Sequence, residues 1–158
     1  MPIALARIDD RLIHGQVVIG WGVPLGVRLI ALVDDEVAAN AWEQEIYRMA
    51  VPPGVEVEFV ARDAAIASLP RWEKDSRPVF VLAGTVDIMA ALVRGGQGVL
   101  RRVNIGGLHA GPGRRERMRY VYLTDAEAAA LRALEAEGTE VNAQDVPTSS
   151  PVRMRDLL

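Results

Sequence analysis

Eight consecutive residues bring together side chains able to move a phosphoryl group: Asp9-Asp10-Arg11-Leu12-Ile13-His14-Gly15-Gln16. They lie between an apolar run and a helical stretch through Gln16-Val17-Val18-Ile19-Gly20-Trp21, so His14 falls at the start of a helix. The first amides of a helix have no internal partner and the dipole end there is positive, which stabilises an anion. Arg11, three residues upstream, is placed to fold onto the same anion. A fixed imidazolium would be repelled by both. A neutral imidazole can instead attack phosphorus and then hold the phosphoryl dianion against Arg11 and the amides of Gly15 and Gln16. Asp9 or Asp10 is expected to hold the second ring nitrogen and set the tautomer. Catalysis of phosphoryl transfer is mostly positioning and charge stabilisation, and these residues supply both. Taken singly, the histidine reads as an ordinary cap and the aspartates as turn formers. Acid, guanidinium and imidazole in one loop favour the chemical reading.

Such a loop must hang from a rigid frame. Short β-rich runs alternate with helical segments, the signature of βαβ units and a mainly parallel sheet. Strands are expected at Ile3 to Ile8, Arg28 to Val33, Val55 to Val60 (alternating, hence nearer an edge), Pro78 to Ala83 (central), Arg101 to Ile105, Arg119 to Leu123 and, at an edge, Val141 to Gln144. The first is apolar nearly throughout, as a strand covered on both faces should be. A helix is expected from Ala41 to Ala50, capped by Asn40 and answered by Glu43, with Trp42, Ile46, Met49 and Ala50 on one face. A short helix over Asp63 to Leu69 should stop at Pro70, leaving a loop to residue 77. Thr85 caps a helix over Val86 to Arg94, and Thr124 with Glu127 forms a capping box for an Ala-rich helix stopped at Gly138. The early Gly22 and Pro24 make the first helix short or irregular. The fold expected is an open, mostly parallel twisted α/β sheet of about seven strands with helices on both faces. Its active site sits at the carboxyl end of strand one, and residues 1–158 form one domain.

Composition narrows the function classes. At 158 residues the chain buries enough surface to need no staple, and with 50% apolar and 25% charged residues it is an ordinary globular sequence. The absence of cysteine excludes disulfides, thiolate catalysis and sulfur-ligated zinc. A net charge of −3 provides no chain-wide basic field for nucleic acid. No apolar run approaches the roughly 18 residues of a membrane span, and no basic leader precedes an apolar stretch. A soluble cytoplasmic domain is the expectation.

Other residues stand near the same end of the sheet. Gly84 and Thr85 end strand four; if that strand neighbours strand one, their amides and hydroxyl lie beside His14 and bind phosphate, the plainer role being a Thr cap. His109 lies in the glycine-rich loop Gly106 to Gly113, where a metal reading would join it to His14 and Asp10; two histidines without fixed spacing argue against one, and no metal or other cofactor is expected. Arg114, Arg115, Arg117 and Arg119 form a basic cluster, either a solvated loop or a docking surface for an acidic partner. Trp21, Trp42 and Trp72 read as core or interface packing rather than ligand stacking.

The segment Arg7-Ile8-Asp9-Asp10-Arg11-Leu12-Ile13-His14-Gly15-Gln16-Val17, followed by Trp21, resembles the active-site segment of IIB subunits of the mannose/fructose/sorbose class of the phosphoenolpyruvate-dependent sugar phosphotransferase system. The resemblance continues through Asp35-Glu36-Val37-Ala38 to Trp42, Met49-Ala50-Val51-Pro52, Val103-Asn104-Ile105-Gly106-Gly107-Leu108, Tyr122-Leu123-Thr124 and Gln144-Asp145-Val146-Pro147. It implies that His14 accepts phosphate from a phosphohistidine on a IIA protein and passes it to a sugar at a membrane IIC/IID permease. It also implies that Arg11 supports the phosphoryl group, that Nδ1 is the acceptor nitrogen and that the domain works at the membrane periphery. With no IIA domain within these 158 residues, that partner is expected to be a separate chain, and the resemblance admits a homodimer that no motif demands. The chain departs from the family at Asp34-Asp35, with Ala39 and Ala41 around Asn40, and in the basic stretch Gly111-Pro112-Gly113-Arg114-Arg115; sugar and partner identity are therefore left open. Two other functions are compatible with the residues: a module phosphorylated for regulation without transport, and a metal-dependent small-molecule-binding α/β domain.

Overall fold

The computed structural model describes residues 3–154. Seven strands form one sheet: β1 (Ile3–Ile8), β2 (Leu29–Val33), β3 (Glu56–Val60), β4 (Val79–Ala83), β5 (Arg102–Ile105), β8 (Glu140–Ala143) and β9 (Val152–Arg153), in the order β3-β2-β4-β1-β5-β8-β9. All neighbours are parallel except β8 with β9. Strands β6 (Arg115–Met118) and β7 (Val121–Leu123) form a separate antiparallel ribbon. The helices are α1 (Gly15–Val17), running into a π-helical turn over Val18–Gly22, then α2 (Asp35–Ala38), α3 (Ala41–Arg48), α4 (Arg62–Glu73), α5 (Val86–Gly95) and α6 (Asp125–Ala136).

The apolar residues of β2 explain the layering. Leu29, Ala31 and Val33 join the core with Leu69 and Trp72 of α4, Met89 and Leu92 of α5 and Leu131 of α6. Ile30 and Leu32 point the other way and meet Val17, Val18, Trp21 and Val37. A strand buried on both sides carries no polar alternation, which is why β2 and β4 read as unbroken apolar runs.

Expectation and structure part at four places. Helix α4 runs through Pro70 to Glu73 instead of stopping at Leu69. Trp72 is fully buried, its indole donates to Glu58 Oε2 at 3.0 Å, and Arg71 pairs with the same carboxylate at 2.8 Å. Burying ~150–250 Å² of indole at ~25 cal/mol per Å² contributes about 4–6 kcal/mol, more than the ~3 kcal/mol an interior proline costs. The strand expected at Arg119 to Leu123 is only its second half, Val121–Leu123, because the chain turns at Arg119-Tyr120 and pairs back on Arg115–Met118. The seventh strand of the sheet is therefore β9, from the tail, which covers the edge expected at β8. Finally, the side of α3 carrying Trp42, Ile46 and Met49 faces solvent at 75%, 47% and 85% exposure. Tyr47 turns inward instead, its ring 6.4 Å from that of Phe59.

Among the described residues no helix is long and apolar enough to cross a membrane.

Candidate active site

β1 lies at the middle of the sheet with β4 on one side and β5 on the other. The chain leaves it toward β2 on the β4 side, whereas β5, β8 and β9 build the opposite half, so strand order reverses at its carboxyl end. A crevice between diverging loops opens at such a point. The loop that follows is pinned to both neighbours: Asp9 N–H donates to the Ala83 carbonyl at 2.9 Å and Asp10 N–H to the Gly107 carbonyl at 2.8 Å. Leu12 takes a left-handed conformation, φ 57°, in the turn closed by its N–H to the Asp9 carbonyl at 3.0 Å. Its side chain lies over Gly84, where a Cβ would approach Leu12 Cδ2 to 2.9 Å. The structure thus gives Gly84 a clearance role, and the Thr85 hydroxyl caps α5 by accepting from Ile88 N–H at 3.2 Å.

His14 is exposed and caps α1 with its own ring: Nδ1 accepts from Gln16 N–H at 3.3 Å, while its carbonyl takes the N–H groups of Val17 and Val18. An acceptor nitrogen bears no proton, so in this arrangement the ring proton belongs to Nε2. Neither aspartate hydrogen-bonds to the ring. Asp9 is wholly buried and accepts from Arg11 (main chain 3.2 Å, Nε 2.9 Å, Nη2 2.7 Å) and from Arg7 (Nη2 3.1 Å, Nε 3.3 Å). Asp10 turns to the β5 side and holds His109, accepting from its N–H at 2.8 Å and meeting ring Nδ1 at 2.6 Å. The expectation that one of them orients His14 is corrected. Asp9 is consumed by two guanidinium groups and Asp10 by the other histidine.

Arg11 joins these parts. Nε and Nη2 grip Asp9, while Nη1 donates to Gln16 Oε1 at 2.7 Å. Burial pushes the Asp9 carboxyl up, but hydrogen bonds from Arg11 and the charges of Arg7 and Arg11 outweigh it, and the group stays below the usual Asp range. The hydrogen bonds to Asp9 hold the Arg11 guanidinium above its ordinary value, against the opposing effect of partial burial.

In the sequence Arg7 looks like no more than an interruption in an apolar strand. It is fully buried and stacks over the Trp21 ring at 4.6 Å. Besides Asp9 it donates to Asn104 Oδ1, to the Gln144 carbonyl at 2.8 Å and to the Asp145 carbonyl at 3.1 Å. Trp21 Nε1 donates to the same Asp145 carbonyl at 3.0 Å. The cluster passes close to backbone at Gly106: a Cβ there would fall on the Arg7 guanidinium and the Asp9 carboxylate. A charged residue inside a strand otherwise built for the core is the signal that could have found Arg7.

His109 and Asp10 do come together, but among the described residues no three His, Asp or Glu side chains are grouped to hold a metal. The basic cluster is largely paired: Arg114 with Glu127 at 3.0 Å, and Arg115 and Arg117 with Asp125 at 3.4 and 3.2 Å, which fastens the β6–β7 ribbon to α6. His14 lies on open surface rather than in either of two clefts, one of about 220 Å³ beside Val18, Val27 and Pro53 and one of about 460 Å³ at the amino ends of β1 and β5.

A family model described as the sorbose subfamily IIB component of the phosphotransferase system matches residues 3–158. The chain is 33% identical to an N-acetylgalactosamine-specific phosphotransferase enzyme IIB component 2 of Escherichia coli over 100% of both chains. It is 34% identical to the E. coli mannose-specific EIIAB component, covering all of this chain and 49% of that protein. The crystal structure of the IIB domain of the Klebsiella pneumoniae sorbose permease superposes with a TM-score of 0.89 at 31% identity, over 99% of this chain and 96% of that one.

Proposed function

The chain belongs to the sorbose subfamily of phosphotransferase-system IIB components, and we propose that its phosphoacceptor is Nδ1 of His14. The donor is a phosphohistidine on a separate IIA protein, and the acceptor is a sugar entering through a membrane IIC/IID complex, at whose inner face this domain works. Residues 1–158 serve as one phosphocarrier unit. In the mannose-specific relative the matched region is about half of a chain named for both IIA and IIB, which supports a IIA domain as the neighbour in the pathway.

The observation that carries this reading is the bare Nδ1 of an exposed histidine turned to the Gln16 amide, with Arg11 bound to the side chain of the same glutamine. The Nδ1 lone pair forms the new N–P bond as the donor's N–P bond breaks and its electron pair returns to the donor ring. As that bond forms, the Gln16 N–H leaves the Nδ1 lone pair for a phosphoryl oxygen, and Arg11 Nη1 exchanges the Gln16 amide oxygen for another. Arg11 is the residue that meets the added charge, with the Gly15 and Gln16 amides beside it. When a sugar hydroxyl attacks, the N–P pair returns to Nδ1 and the hydroxyl proton leaves to solvent or the acceptor complex. Thr85 acts only by holding α5 in place, and Asp10 by holding the loop on the far side of Arg11. Exposure of His14 suits a reaction whose donor is a protein. A homodimer is compatible with this scheme and adds nothing to it.

The test is incubation with phosphoenolpyruvate, the upstream carriers and candidate IIA proteins, followed by mapping of the label. One acid-labile, base-stable phosphoryl group on His14 supports the reading. Label elsewhere, or undiminished label in His14→Ala, sinks it.

A further inference from the structure

We infer that Arg7 is a positioning residue for phosphoryl transfer, acting through Asp9 on Arg11; this rests on the phosphocarrier reading above. Arg7 cannot touch a substrate, since its side chain is 0% exposed. Yet a continuous set of hydrogen bonds leads from it to the acceptor nitrogen. Arg7 donates to Asp9, Asp9 receives Arg11, Arg11 Nη1 binds Gln16 Oε1, and Gln16 N–H meets His14 Nδ1.

The geometry shows why one arginine needs another behind it. A carboxylate held only by Arg11 would leave the pair free to swing as a unit. Arg7 removes that freedom because its own guanidinium has nowhere to go. It is bound to Asn104 at the end of β5 and to the carbonyls of Gln144 and Asp145 beyond β8, with Trp21 stacked across its plane. Gly106 closes the remaining side. Asp9 is thereby fixed relative to β5, β8 and the π-helical turn, and Arg11 inherits the fixed position. Stability alone is a weak reason for such a cluster. A buried cation and a partly buried one sharing one buried carboxylate carry a desolvation cost, and well-packed apolar replacements are often neutral or stabilising. Burial does pull the Arg7 guanidinium below its ordinary value, against the raising effect of Asp9. A charge kept at that cost, two residues from the site's own carboxylate, fits a role in aim: misplacing a catalytic group by ~1 Å can cost ~10²-fold.

The experiment is a rate cycle on the full chain, with Arg7→Met, Arg7→Lys, Arg11→Ala and the two double variants. Phosphorylation of His14 is followed by mass shift, with phosphoramidate and, separately, with phospho-IIA as donor. Arg7→Met is expected to slow labelling about 10–100-fold, in line with loss of an outer partner at other sites. Arg7→Lys, which restores charge without the fork, should recover only part. Each double variant should be little slower than Arg11→Ala alone, because the side-chain route from Arg7 to the phosphoryl group runs through Arg11. Multiplied effects in the double variants, or folded Arg7→Met labelled at the wild-type rate, would overturn the proposal. If Arg7→Met fails to fold, the Arg7→Lys arm carries the same comparison. A second readout needs no phosphoryl chemistry: the Arg11 Nε–H proton should exchange slowly with water in the wild type and quickly in either Arg7 variant. Absence of label in the wild type would count against the phosphocarrier reading, and unchanged Arg11 exchange in the Arg7 variants would count against this one.

Discussion

The ring of His14 and the backbone of Gln16 form the cap of the first helix, Nδ1 accepting from the amide at 3.3 Å. Imidazole is an uncommon cap compared with Ser, Thr, Asn or Asp. Here it turns Nδ1, the proposed acceptor, toward the Gln16 amide, a backbone donor able to follow the charge if phosphorus is attached there. The Gln16 side chain, holding Arg11 at 2.7 Å, places the second donor within the same residue's reach.

His14→Ala is expected to abolish labelling while leaving the fold intact. The cap belongs to a three-residue helix, so its loss should cost about 1 kcal/mol. Urea titration checks the stability and mass spectrometry the label.

Arg11→Ala should keep the fold and slow transfer about 10²–10³-fold, the loss typical of one preorganised donor. Arg11→Lys should recover little, because an ammonium cannot hold Asp9 and Gln16 through three separate nitrogens as this guanidinium does. Stopped-time labelling with phospho-IIA measures both; a lysine variant at wild-type rate would contradict it.

Asp9 should make the protein acid-sensitive. Its carboxyl titrates below its unfolded value, so the stability from its ionised form is complete above the ordinary Asp value of 3.8 and is lost as pH falls through the lower folded value. Asp9→Asn should remove that part of the acid dependence. At neutral pH it should cost about 3–5 kcal/mol, because Arg7 is left buried and unbalanced. Urea midpoints across the acid range decide the point.

Gly106→Ala is expected to destabilise by about 1–3 kcal/mol, since the new methyl meets the Asp9 carboxylate and an Arg7 guanidinium that its hydrogen bonds hold in place. It should also slow labelling of His14, whereas a purely structural glycine would change the melt alone.

The tryptophans provide a contrast in thermal denaturation. Trp72→Ala removes a fully buried ring and should cost about 3–5 kcal/mol. Trp42→Ala removes one that is 75% exposed and should stay within about 0.5 kcal/mol.

Much of this protein is legible in its sequence. Alternating apolar runs and helical segments specify a parallel α/β sheet, because a strand covered on both faces shows no polar alternation. Asp9, Arg11 and His14 declare themselves by side-chain chemistry at short spacing, and the IIB-like motif around them names the family. What each aspartate holds is not legible there, since it depends on Arg7 reaching Asn104 and Asp145, 97 and 138 residues away, and on Asp10 reaching His109, 99 residues away. Pro70 likewise reads locally as a stop; burial of Trp72 against Glu58 overrides it. Local spacing determined which residues meet at the end of β1. The tertiary structure decided which of them grip one another, because charge pairing and burial are settled between segments that only the folded sheet brings together.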